Sequence, residues 1–149
     1  MALDRELVGR SYPPSAVYEV GRAKLAEFAA AIGSDDPVHT DAEAARAAGH
    51  PDVIAPPTFA IVMSLTAGHQ VIVDPDFGID YSRVVHGEQR VVHHRPVHAG
   101  DVLQVIVSVD DVRTAAGNDI VTTRGEVQTV DGEPVVTAVS TIVARGPGA

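Results

Sequence analysis

From Tyr81 onward the sequence reads as a succession of strands, and that limits what the chain can fold into more than any other feature. Between Val102 and Val109, the side chains of Leu103, Val105, Val107 and Val109 fall on one face at period two, the pattern of a strand with one side against a core. Three further β-prone runs share this half of the chain: Arg83 to Arg95 with a break or bulge at Gly87, Ile120 to Val130, and Val135 to Ala144 after Pro134. Between them lie Pro96 with the turn Ala99-Gly100-Asp101, a hairpin loop over Thr114 to Asn118, and the tight-turn pair Asp131-Gly132. Four long strands joined by short turns predict an antiparallel sheet.

The N-terminal half supplies what the sheet packs against. A lead-in ending in Tyr12-Pro13-Pro14 precedes a short strand over Ala16 to Val20, broken by Gly21. In RAKLAEFAAAI, Leu25, Phe28, Ala29 and Ile32 recur at i, i+3, i+4, i+7, an amphipathic helix that Gly33 is placed to end. The polar cluster Ser34-Asp35-Asp36-Pro37-Val38-His39-Thr40-Asp41 follows. Pro37 drives Asp36 toward extended geometry, so this segment is expected to be a loop. Thr40 or Asp41 would cap a short helix, DAEAARAA, closed by Gly49 and Pro51. From Phe59 to about His69 or Val73 the chain is apolar nearly all round, as in a helix buried against a sheet. Pro57 suits its first turn, where a missing N–H costs nothing. Asp74 to Gly78 is a turn-rich loop, and RGPGA at 145–149 is expected to fray.

The order is β, α, α, a buried α, then four strands, an α+β class in one domain over residues 1–149. A long apolar helix wrapped by a curved antiparallel sheet fits the hot-dog fold. Such a sheet has open edges, which predicts pairing with a second chain. A formal charge of −9 argues against nucleic acid, which needs a basic stripe. Without cysteine, disulfide and thiolate chemistry are excluded. MALDRELVGR lacks an apolar signal-peptide core, and Phe59 to Leu65 is too short to span a bilayer, so no membrane role and a cytoplasmic location are expected.

Plain structural roles are open to most of the polar cluster. His39 would orient the turn, Asp35 and Asp36 would cap or solvate it, and Ser34 would be a cap or polar filler. Thr58 stands where it would cap the apolar helix and face a ligand at once. His86, His93, His94 and His98 raise the idea of a metal. Adjacent His93 and His94 must point to opposite faces of a strand, so no metal site is expected.

Two segments carry a family resemblance. GSDDPVHTDAEAARAAGHPDVIAPPTF resembles the hydratase motif of MaoC-like dehydratases and (R)-specific enoyl-CoA hydratases, and HGEQRVVHHRPVHAGDVL resembles the strand-and-turn signature of the same families, the dehydratase domain of fatty acid synthases included. The likeness spans roughly residues 15 to 145 and is nearest to small actinobacterial hydratase-like proteins and to substrate-holding subunits of heterodimeric 3-hydroxyacyl-carrier-protein dehydratases. It implies water added across, or removed to form, an α,β-unsaturated thioester of CoA or acyl-carrier protein, with no cofactor, in a homodimer or heterodimer of hot-dog chains. Catalytic members use an Asp and a His five residues later. Here His39 falls on that histidine, Ser34 on the aspartate, and Asp36 on an asparagine.

A serine hydroxyl does not titrate near neutrality, so Ser34 is no substitute proton carrier, and Asp36 becomes the assisting carboxylate. Pro56-Pro57 replaces a His-Gly pair whose glycine amide binds the thioester oxygen. Pro57 has no N–H, so the amides of Thr58, Phe59 or Ala60 would serve, aided by the helix dipole. Three alternatives stay open at this point. One is a catalytically inactive acyl-binding subunit with a tunnel along the Phe59–Leu65 helix. A second is a ligand-binding module. The third, a thioesterase, is disfavoured because residues 59–73 hold no carboxylate.

Overall fold

A computed structural model describes residues 3–146, so the expected fraying of 145–149 falls mostly outside the described residues. The elements run β1 (Tyr18–Glu19), α1 (Arg22–Ala31), α2 (Ala42–Ala47), α3 (Ile61–Val73), β2 (Val84–His93), β3 (Val102–Ala115), β4 (Asn118–Thr129) and β5 (Pro134–Ala144). All strand pairs are antiparallel, in the order β1-β3-β4-β5-β2. The sheet curls around α3, which is the hot-dog arrangement.

Period two sets the buried face. Leu103, Val105, Val107 and Val109 of β3, Val121 and Val127 of β4, and Val136, Ala138 and Ile142 of β5 are all buried and turn toward α3. α3 lies over β3 and β4. Gly125 of β4 lies beneath the helix: an added Cβ there would press on Val105 Cγ1 of β3 at 3.3 Å and would meet Ser64 Cβ of α3 at an ordinary contact distance of 3.7 Å. At the start of α3, Phe59 is fully buried and meets the rings of Tyr18 and Phe28 edge-on, with centroids 6.2 and 5.3 Å away. That contact joins α1, β1 and α3 in one core.

β1 and β2 are shorter than expected, and the boundaries of α3, β3 and their neighbouring loops differ in ways that bear on the site and the sheet. α3 begins at Ile61 and not Phe59, because Pro56 to Ala60 forms a separate turn closed by the Phe59 N–H on the Pro56 carbonyl at 2.9 Å. Thr58 therefore caps nothing; Ala60 is the cap residue, with no side-chain hydrogen bond. β3 continues to Ala115, since a bulge between Val109 and Asp111 shifts the alternation by one residue and hides it from a period-two reading. The hairpin loop shrinks to Ala116-Gly117, both at positive φ. The bulge at Gly87 is present, as a register shift between His86 and Glu88.

Candidate functional site

The loop carrying the polar cluster is held by two aspartate caps. Gly33, at φ 72°, ends α1, and the Ser34 amide closes back on the Ala29 carbonyl at 2.9 Å. Asp36 is extended, and its Oδ1 accepts the Val38 N–H at 3.1 Å, starting a single 3₁₀ turn over Pro37–His39. Asp41 Oδ1 accepts the amides of Glu43 and Ala44 and starts α2.

This turn aims the His39 ring inward, leaving it 7% exposed. Its Nδ1 lies 2.7 Å from the Ile54 carbonyl oxygen. A carbonyl only accepts, so Nδ1 carries the proton and the lone pair of the neutral ring sits on Nε2. Nε2 has no hydrogen-bond partner among the described residues. It keeps some exposure, since among the described residues Ser64 Oγ is the one fully covered side-chain polar atom without a partner. A tethered ring with an open, unprotonated Nε2 is the arrangement a general base requires.

Ser34, Asp36 and His39 share one loop but not one environment. Asp36 is exposed and engaged with the backbone, Ser34 is half-buried, and neither is hydrogen-bonded to His39. Asp35 is exposed as well. Among the described residues no carboxylate lies within ion-pairing distance of His39, and no group of three or more His, Asp or Glu is placed to hold a metal.

The second half of the site is the turn before α3. Of the three amides at the helix start, that of Phe59 is taken by Pro56, while those of Thr58 and Ala60 have no partner among the described residues. The Phe59 and Ala60 side chains are buried in the core; Pro57 and Thr58 are exposed. The thirteen-residue α3 points the positive end of its dipole at this turn. On the inner face of β2, His93 Nε2 lies 2.8 Å from the Pro57 carbonyl, a contact with no mark in the sequence. His94 turns the other way and meets Thr137 Oγ1 at 2.9 Å, so the two rings do occupy opposite faces.

A groove of about 470 Å³ runs along α3 on its β1 side, between Val17 and Tyr18, Val62, Met63 and Ala67, and Leu103. Its lining is mostly apolar, with Thr66 and Gln70 toward the far end. Neither His39 nor Asp36 lines it. A second depression of about 450 Å³, between Asp76, Arg83 and Asp119, lies beyond the other end of α3, away from both histidines.

Residues 6–138 match the family described as the FAS1-like, dehydratase domain region. The chain belongs to this FAS1-like dehydratase family. A UPF0336 protein of Saccharopolyspora erythraea is 58% identical over 146 residues, covering 98% of this chain and 94% of the relative. Among solved structures, the truncated HadBC (3R-hydroxyacyl-ACP dehydratase) complex of Mycobacterium tuberculosis superimposes with a TM-score of 0.83 at 33% identity, covering 96% of this chain and 99% of that one. A MaoC-like dehydratase superimposes with a TM-score of 0.86 at 31% identity over 94% of this chain, which fills 42% of that longer one. No helix among the described residues is long and apolar enough to cross a membrane.

Proposed function

We propose that this FAS1-like dehydratase acts in the (R)-specific hydration or dehydration of acyl thioesters, as one subunit whose site is completed by a second hot-dog chain. One observation carries the reading: His39 is held by Ile54 with Nε2 unpartnered, and among the described residues no carboxylate is paired with it. Hydration needs a base for the water proton, a group that returns a proton to the α-carbon, and donors for the charge on the thioester oxygen. His39 Nε2 would take the proton as the water oxygen bonds to the β-carbon. The displaced π-electrons move onto the thioester oxygen, toward the free amides of Thr58 and Ala60. Protonation at the α-carbon then completes the addition.

With Asp36 committed to its cap and Ser34 unable to titrate, the second proton-handling group would come from the partner chain. The same geometry favours an alternative in which this chain holds the acyl group and the partner performs the chemistry. The groove beside Val62, Met63 and Ala67 supports that alternative, being apolar and of a size for an acyl chain. The acyl donor would be CoA or acyl-carrier protein.

The test follows the enoyl absorbance of crotonyl-CoA with the chain alone, with the chain co-expressed beside a hydratase-like partner, and with His39→Ala in each setting. A base of this kind contributes about 10²–10⁴-fold, so His39→Ala is expected to lower the rate by that factor. If co-expression restores a rate that ignores His39→Ala, the acyl-holding role is favoured. No hydration in either setting, together with no crotonyl-CoA binding, removes thioester chemistry altogether. Release of free thiol would instead indicate a thioesterase.

A further inference from the structure

The turn from Pro56 to Ala60 holds two orphan amides, yet its own hydrogen bonds are local: Phe59 N–H to the Pro56 carbonyl and Ile61 N–H to the Thr58 carbonyl. One hydrogen bond ties this turn to the sheet. It comes from His93 on β2, whose Nε2 is 2.8 Å from the Pro57 carbonyl oxygen; the acceptor is a carbonyl, so Nε2 carries the proton.

The Pro57 carbonyl and the Thr58 N–H belong to the same peptide unit. No peptide bond in the described chain is cis, so this unit is planar and trans, with its C=O and N–H pointing in opposite directions. Fixing the oxygen therefore fixes the direction of the Thr58 N–H, which points away from His93 with nothing to bond to. A hydrogen bond accepted at the oxygen also polarises the N–H across the plane and strengthens it as a donor. His93 is paired in register with Val136 at the end of β2, so the orientation of the amide is borrowed from the sheet.

We propose that His93 is a positioning residue for thioester binding: it holds the Pro57–Thr58 peptide plane so that the Thr58 amide donates to the thioester oxygen. This rests on the thioester reading above and adds the residue that aims its donor. His93 itself touches no reacting atom. Either neutral tautomer with the proton on Nε2, or the protonated ring, satisfies the contact, so what matters is a donor at that position.

The experiment measures crotonyl-CoA binding to the full chain, in its assembled state, with the amide spectrum recorded throughout the titration. The variants are His93→Ala, His93→Phe and His93→Gln. Loss of one hydrogen bond predicts that Ala and Phe raise Kd by roughly fivefold to tenfold, and that Gln, which keeps an N–H near the same place, returns it to within about twofold. The Thr58 amide proton should shift downfield on binding in the natural chain and in His93→Gln, and not in the other two. Unchanged β3 and β4 amides establish that each variant is folded. Binding by the natural chain with no response at Thr58, or with equal affinity in all variants, overturns the role of His93 alone. Absence of binding by the natural chain overturns the thioester reading beneath it.

Discussion

At the β1 end of the sheet, the outer side of β3 is covered by residues 9–19. The amides of Gly9, Tyr12 and Ser15 donate to the carbonyls of Val109, Val107 and Val105, and the Val105 amide returns a hydrogen bond to Ser15 Oγ at 2.9 Å. At the other end, β2 is ten residues long, pairs with β5 on one side, and has no strand on the other among the described residues. Val85 and Val92 on this strand are 43% and 48% exposed. A covered edge and a long open edge in one sheet teach that exposure here is selective. The lead-in with its two prolines closes one side, and the other leaves the outer edge of β2 without a strand neighbour, an edge on which a strand of a second chain could pair. The open edge is also the strand that carries His93, so pairing along β2 would bring a second chain beside the turn that starts α3.

Breaking the open edge should have the largest effect. In Val85→Lys/Val92→Lys, two half-exposed apolar side chains are replaced by charges on a strand that seeks a partner. Burial of two valines is worth about 3 kcal/mol, or roughly a hundredfold in Kd. Sedimentation of the chain, alone or with a co-expressed hot-dog partner, should show the complex lost while the circular dichroism of the sheet is kept. Unchanged association would place the interface elsewhere.

A smaller effect is expected at the covered edge, where the groups are satisfied within the chain. Ser15→Ala leaves the Val105 N–H without its acceptor, which should lower stability by about 1 kcal/mol in urea denaturation. Association should not change. A variant that also weakened the complex would show that the two edges communicate through β3 and are not independent.

Much of this fold was legible because the signals are local. Period two in β3, the all-round apolarity of α3, Gly33 as a helix stop and the Gly87 bulge each depend on neighbours a few residues away. The extension of β3 past Val109 was not legible, since the bulge moves the buried position from 111 to Val112 and breaks the expected alternation. In the candidate site, His39 stands out through its loop, and an acidic residue before a proline marks Asp36 as a cap. The tethers of His39 and His93 were invisible for a common reason. Both end on backbone carbonyls, Ile54 and Pro57, and a carbonyl leaves no residue-type signature. The thirty-six-position separation of Pro57 and His93 is bridged only once the sheet has folded.

The covered edge has its own fastening, and pH should probe it from both sides. Tyr12 Oη donates to Asp74 Oδ2 at 2.7 Å, and Arg10 Nη1 bonds Asp74 and Asp76 at 2.8 and 2.7 Å, so the lead-in is pinned to the end of α3. The Tyr12 hydroxyl, followed by the Asp76 amide and Arg10, holds the Asp74 carboxyl below the usual range, while burial opposes them. Burial and the neighbouring Asp74 raise the Tyr12 hydroxyl above its ordinary value. A carboxyl that is more acidic when folded stabilises the chain above about pH 4, its unfolded value, and that contribution fades as pH falls toward the folded value. A phenol that is less acidic when folded contributes fully below about pH 10 and loses that contribution as pH rises toward its folded value. Exchange of the Tyr12 and Ser15 amides should therefore accelerate below about pH 4 and again above about pH 10, relative to β4 amides. Tyr12→Phe removes the largest influence on Asp74 and the phenol together. It should move the acid transition up in pH and abolish the alkaline one, leaving Arg10 to hold the strap. If both transitions persist in Tyr12→Phe, the lead-in is fastened by its backbone pairing to β3 alone, and the difference between the two edges needs no side-chain lock.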